Sequence, residues 1–433
     1  MSKNDTNNEL NKCAAEDMRS GSALAASAGN SKWAWTKYAT LVGVAIFFAF
    51  NFVLLLWQPL NKVKPEALPS AHTWTYWAAR EFLSQQKPSD IVICGSSVLM
   101  HPIARVEAVH KNKNLDYVLD HQSTYFADAL GNSIGQQNLS CFSFALPGSM
   151  ISDNFMVMRG LLTGAHKPSV VVLGLTLRDF IDSGVTCPGA TPPFRYLKRY
   201  ANIDDVIDLA MPQIWQRFDY WLGKLVYVNG KKMDMQTLLS EQVKSILDPV
   251  FKKEFGPCRL VEMDPTRNTP SNLRGEIEPG MMIVGPHEAA SYLDNTAEYR
   301  KRYRRNDPKM FEIQSSFLEK LLAEAKANDV RVIMVNVPVS EQNHTLMPVG
   351  AYEKYQARVK ALASKWGVEY FDPSNNVQFV QSDFYDSVHM NADGGKKLLD
   401  QFVLAVRGDS RSLAALSARS TVANKAVLTD KAM

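Results

Sequence analysis

Continuous apolar runs of strand type recur along the chain, from Ile91 into Gly95-Ser96-Ser97, and over Leu139–Leu146, Val170–Gly174, Val330–Val337 and Val368–Phe371. Between them the spacing changes to the 3.6-residue period of amphipathic helices, over Thr73–Gln86, Val98–His110, Thr124–Ile134, Ser152–Leu162, Asp307–Ala325, Tyr352–Trp366 and Gly395–Val406. Continuous rather than alternating apolarity marks strands buried on both faces, and strands alternating with helices mark a parallel sheet covered on either side. The pattern predicts an α/β protein of three layers, α/β/α, with a mainly parallel sheet.

Between Ser183 and Asp307 the alternation stops. A Pro/Gly-rich opening, Cys187-Pro188-Gly189-Ala190-Thr191-Pro192-Pro193, leads into amphipathic stretches around Ile203–Leu225 and Met233–Phe255, then a long Pro/Gly-rich loop. This predicts a mainly helical insertion or cap, residues 183–307, within a domain made of residues 70–182 and 308–407. Its aromatic run, Trp215, Phe218, Tyr220, Trp221 and Tyr227, has helical spacing, which predicts packing against the sheet. A wall for a polymer groove or a contact with a membrane surface are the alternatives.

At the other end, Tyr38 to Trp57 carries no charge and has about the twenty residues that span a bilayer's hydrocarbon core, with Trp33, Trp35 and Trp57 as interfacial flanks. The sequence therefore predicts a polar disordered tail (1–37), one transmembrane helix (38–57) in contact with lipid, a Pro-containing linker (58–69) and a frayed C-terminal tail (408–433). Lys32 and Lys37 balance Lys62 and Lys64, so charge does not orient the span; the short tail is the easier part to leave in the cytoplasm.

A chain of 433 residues, 46% hydrophobic and 21% charged, has enough apolar content for a large core, and its net charge of +4 includes no basic stripe interleaved with aromatics. No nucleic-acid partner is indicated. The 5 cysteines lack paired metal spacing, and no nucleotide or metal motif is present, so neither cofactor nor metal is expected. Cys187 and Cys258 lie in loops and are the pair that a disulfide would join in an oxidising compartment.

The chemistry begins at Gly95-Ser96-Ser97, where a serine hydroxyl stands at a strand's carboxyl end, the edge at which parallel α/β sheets gather ligands. A serine there can simply cap a helix; as a nucleophile it needs a base, and the base needs a carboxylate. Asp386-Ser387-Val388-His389 supplies both within one loop. His101, close to Ser97 in sequence, is read as pointing away from the crevice.

These blocks resemble those of the SGNH (GDSL-like) hydrolases and acyltransferases: Gly95-Ser96-Ser97 the first, Gly148 the second-block glycine, and Asp386-x-x-His389 the last. The third block departs, with Thr176-Leu177-Arg178-Asp179 where the family has Gly-x-Asn-Asp, so that Arg178 stands in the place of Asn. The resemblance implies a flavodoxin-like sheet, a catalytic triad of Ser97, His389 and Asp386, and an oxyanion hole from Ser97 and Gly148. For Arg178 three roles stay open: an oxyanion donor, a binder of an anionic substrate group together with Asp179, or a structural ion pair. A Gly-Ser-Ser first block is similar to that of the membrane-anchored branch that modifies lipoteichoic acid and alginate. That branch implies a single-pass protein with an extracytoplasmic catalytic domain, an acylated glycan or other envelope polymer as substrate, and a membrane-bound acyltransferase as partner. The competing function is a non-catalytic scaffold or glycan-binding protein of an envelope assembly machine.

Overall fold

The computed structural model describes residues 38–63, 72–232, 277–287 and 291–419, with scattered positions between 234 and 246. The chain divides into two units, Met1–Lys64 with Asp219–Gln236, and Pro65–Phe218 with Thr237–Met433. Part of the expected insertion thus groups with the N-terminal helix and the rest with the sheet.

In the first unit, helix α1 (Tyr38–Asn61) is long and apolar enough to cross a membrane, and it alone among the described residues is so. Its buried polar side chain is Asn51, which accepts from Tyr227 N (2.7 Å) and donates to Leu225 O (2.8 Å).

The second unit holds the sheet. Strands β1 (Ile91–Gly95), β2 (Cys141–Ala145), β3 (Val170–Leu175), β4 (Arg331–Asn336) and β5 (Glu369–Phe371) pair in the order β2-β1-β3-β4-β5, every pair parallel. This is the flavodoxin-like order, in which the chain winds one way from β1 and then the other, opening a crevice at the strand ends beside β1 and β3. The register levels that edge: Gly95 pairs with Ala145 and Leu175 with Asn336. Every residue of β1, β2 and β3 is buried, as their unbroken apolarity requires.

Around the sheet run helices α2 (Trp74–Leu83), α3 (Ser97–Lys111), α4 (Thr124–Ile134) and α5 (Ile151–Gly160), then, after α6 (Ile214–Leu225), which is divided between the two units, α7 (Pro308–Ala327), α8 (Ala351–Trp366) and α9 (Ala392–Gly408). Helices α3, α4 and α9 pack with one another, and α5, α7 and α8 form a second group. The predicted α/β/α architecture is what the chain adopts.

Helix α3 approaches the sheet through a gap that side chains would fill. A Cβ on Gly95 would fall 2.8 Å from Leu99 Cδ1, and one on Gly174 closer still. Leu99 sits in that notch, fully buried, and fixes the first turn of α3 over the ends of β1 and β3.

Two expectations need correction, and one feature carried no expectation. The aromatic run does not pack as a core face: α6 contains no buried residue, and Trp215, Phe218 and Trp221 are exposed, whereas Tyr227 is buried. The C-terminal tail begins later than Gly408, because residues 410–419 are helical, with Asp409 capping Ser412 N (3.0 Å), Leu416 buried, and Arg419 donating to Lys167 O and Pro88 O. A small antiparallel pair, Leu115–Asp116 with Ile283–Val284, ties the insertion's return to the α3–α4 connection; two residues are too few for a periodic signal.

Candidate active site

Ser97 is the first residue of α3. Ser96 before it is extended (φ −110°, ψ −166°), so the chain turns from strand to helix between the two. A first-turn N–H has no intrahelical acceptor, which leaves the Ser97 N–H beside its own hydroxyl.

The partner loop is a tight hairpin. Phe384 and Met390 pair antiparallel and Tyr385 N donates to His389 O (3.0 Å), so Asp386 and His389 are folded onto one side. Asp386 is buried; its Oδ1 accepts from Val388 N (2.8 Å) and His389 N (2.7 Å), and its Oδ2 from His389 Nδ1 (2.6 Å). His389 Nε2 then lies 2.9 Å from Ser97 Oγ. With Nδ1 donating to the carboxylate, Nε2 is left as an acceptor facing the serine, the tautomer a general base needs.

Gly148 occupies a type II turn written in the sequence as Leu146-Pro147-Gly148-Ser149. Pro147 takes the second position, Gly148 has φ +72°, which a side chain would strain, and Ser149 N donates to Leu146 O (3.2 Å). Leu146 N donates to Gly95 O (3.1 Å), which ties the turn to the end of β1. Among the described residues no acceptor takes the Gly148 N–H.

Arg178 makes the ion pairs of the third role opened for it. Its Nε donates to Asp182 (3.0 Å), Nη1 to Ser149 O (2.7 Å) and Asp179 (3.3 Å), and Nη2 to Gly148 O (3.2 Å) and Asp182 (2.7 Å). Four of the guanidinium's five N–H groups thus make hydrogen bonds, and Nη2 is also in ion-pair range of Asp182. Arg178 thereby clamps the Gly148–Ser149 carbonyls. Burial would lower its pKa, but Asp182 and Asp179 outweigh burial and raise it. Asp179 is fully buried and accepts from Thr176 N and Oγ (3.1 and 3.0 Å). Asp182 also takes Arg302 (2.6 Å), completing a buried cluster of two arginines and two aspartates.

The reading of His101 is also corrected. It stands four residues after Ser97, on the same face of α3, and its ring centroid is 4.4 Å from that of His389. Its Nδ1 lies 2.9 Å from Tyr385 OH and 3.3 Å from Tyr117 OH. Burial first, then the nearby His389 and Arg105, push the His101 pKa well below the ordinary histidine range. The unfolded chain therefore takes up this proton before the folded one, and stability falls as the pH drops through about 6.5. His101→Leu should flatten that slope, read as the shift in urea midpoint between about pH 7.5 and pH 5.5, while leaving reaction with a serine-directed phosphonate intact.

The hairpin is braced by residues that carry no sequence signal. Asn295, at the insertion's return, accepts from Ser387 N (3.0 Å) and Ser387 Oγ (2.5 Å); Leu293 N donates to Tyr385 O (2.6 Å) and Asn343 Nδ2 to Ser387 Oγ (3.2 Å). Cys187 is buried with the Gln216 amide 3.4 Å from its sulfur; Cys258, its proposed partner, lies outside the described residues. Among the described residues no group of three or more His, Cys, Asp or Glu side chains is placed to hold a metal ion.

Fold and site together define a parallel α/β protein with a Ser–His–Asp relay at the carboxyl edge of its sheet. A family described as "Protein of unknown function (DUF1574)" matches residues 286–404, the part that contains β4, β5 and the Asp386–His389 hairpin. No curated protein matches the sequence. Solved structures similar to the chain include a protein assigned as an acylhydrolase from Bacteroides fragilis (12% identity, 76% of this chain and 94% of that one, TM-score 0.32). A GDSL-like lipase from Bacteroides thetaiotaomicron (10%, 77% and 98%, TM-score 0.32) and a catalytic mutant of an acetylxylan esterase from Geobacillus stearothermophilus (11%, 74% and 96%, TM-score 0.32) are similar to the same degree. The chemistry is carried by the site's own geometry.

Proposed function

We propose that the chain is a membrane-anchored serine esterase or O-acyltransferase, acting outside the cytoplasm on acylated envelope or extracellular polysaccharide. The observation that carries the reading is the unbroken path from Ser97 Oγ through His389 to the buried Asp386 carboxylate. Ser97 Oγ attacks the ester carbonyl carbon as its proton passes to His389 Nε2. The oxyanion meets the N–H groups of Ser97 and Gly148, an interaction whose loss typically costs about 100- to 1000-fold. His389 returns the proton to the departing sugar oxygen, leaving acyl-Ser97. Water, or a second hydroxyl, is then deprotonated by His389 and takes the acyl group, which gives hydrolysis or transfer. Helix α1 supports the anchor. The polymer substrate and a membrane-bound acyltransferase partner are what the Gly-Ser-Ser resemblance suggests.

The test uses the full chain in detergent with a fluorophosphonate probe and a set of O-acetylated oligosaccharides. A phosphonate adduct on Ser97 and release of acetate, or its transfer to an added sugar, is expected. Absence of both the adduct and any acyl-Ser97 by peptide mass analysis would overturn the reading.

A further inference from the structure

We propose that α6 is a second membrane contact, its apolar face seated among the acyl chains beside α1; this rests on the anchor reading above. The first observation is an inverted amphipathicity. Ile214 (69% exposed), Phe218 (66%), Trp221 (43%) and Leu225 (68%) recur at intervals of four, three and four residues, which places them on one face, and Trp215 (61%) extends it. Among the described residues that face is the exposed one, while Gln216, Arg217 and Tyr220 on the other side are half-buried. Helices of globular proteins arrange these two faces the other way round.

The second observation fixes what covers the face. Asn51 stands inside the apolar stretch of α1, where an unpartnered amide in hydrocarbon would be costly, and it is satisfied by Leu225 O and Tyr227 N. Tyr227 OH accepts from Leu60 N (2.9 Å). The C-terminal end of α6 is therefore fastened to α1 at a level six residues, about 9 Å, before Trp57. Whatever medium surrounds α1 at Asn51 also surrounds Leu225. If α1 lies in lipid, so does the end of α6, and the helical period carries its apolar face back from Leu225 through Trp221 to Phe218. Third, residues 214–232 carry Arg217, Lys224, Lys231 and Lys232 against one acidic residue, Asp219, a balance suited to anionic headgroups. Lys224 lies 5.0 Å from the Trp221 ring and 5.1 Å from that of Tyr220, as an ammonium reaching from an aromatic belt to the headgroups would.

The test places p-benzoylphenylalanine at position 218, 47 or 349 of the full chain, reconstituted in phosphatidylcholine vesicles containing phosphatidylglycerol. Phe218, Phe47 on α1 and Val349 are all exposed, so none of the changes disturbs packing. After illumination, lipid adducts at 218 and at 47 should exceed those at 349 by about fivefold or more. Lipid adducts at 47 without any at 218 would overturn the inference and leave the anchor standing; so would adducts at 218 to protein, whether another part of this chain or a second copy. Adducts at 218 without any at 47 would keep α6 on the membrane and remove the span. No lipid adduct at either position would overturn both.

Discussion

Ser97→Ala is expected to abolish turnover of an activated acetyl ester, by a factor on the order of 10⁴ or more, together with all labelling by a fluorophosphonate. The reason is the proposed relay: with Oγ removed, His389 Nε2 has no nucleophile to activate, although the Ser97 and Gly148 N–H groups proposed to meet the oxyanion are unchanged. His389→Ala should cost about as much, and the double variant no more than either alone, because residues that act as one unit are not additive. Asp386→Asn separates orientation from charge. Its remaining Oδ1 can still accept from Val388 N and His389 N, but the new amide would donate to His389 Nδ1. That forces the proton onto Nε2, which then faces Ser97 as a donor and cannot act as base, with a loss on the order of 10⁴ in kcat. Measured kcat and phosphonate labelling, in variants whose thermal transitions match the parent's, check all three. Near-parent turnover by Ser97→Ala would remove Ser97 from the chemistry.

The parts legible in the sequence were those whose cause is local. The valine run of β3 is apolar on both faces, so burial writes it directly into composition. The Leu-Pro-Gly-Ser turn follows from the fixed φ of Pro147 and the freedom of Gly148. Asp386 and His389 are close enough in sequence for one loop to join them, and strand order brings Ser97 to meet them. His101 carried a usable signal that was read wrongly: four residues on a helix return a side chain to the same face. What stayed hidden depends on partners distant in the chain. Asn295 reaches Ser387 across 92 residues, and no pattern in either segment announces it. The helical period of α6 gives the position of its apolar face, but not whether protein or another medium lies against that face. Arg178 follows β3 directly, yet only coordinates reveal the carbonyls and aspartates that its guanidinium meets.

That buried cluster decides what replacing Arg178 should do. The guanidinium fork holds the Gly148 and Ser149 carbonyls while neutralising Asp182 and Asp179, so it shapes the turn bearing the Gly148 N–H. Lysine keeps a positive charge in the cluster but is a compact ammonium that cannot reproduce the fork. Arg178→Lys should therefore fold, and should lower kcat by roughly 10- to 100-fold with KM nearly unchanged, because a misplaced oxyanion donor is felt chiefly in the transition state. A rise in KM at constant kcat would instead return Arg178 to substrate binding. Arg178→Ala strands two buried carboxylates, with only Arg302 left to Asp182, and should cost about 3–5 kcal/mol at neutral pH. The pH dependence then has a definite sign. In the parent, burial raises the Asp182 pKa, but Arg178 and Arg302 outweigh it and hold it below the usual carboxylate range; Asp179 is already raised, by burial that Arg178 only partly offsets. Without Arg178 both folded-state pKa values move up, so the folded variant takes up protons before its unfolded chain does as the pH falls. Its stability deficit relative to the parent should be largest near pH 7 to 8 and shrink toward about pH 5, read from urea midpoints across that range. A deficit that stays constant from neutral to acid pH would mean that the two aspartates do not depend on this arginine, and the clamp would have to be assigned to packing alone.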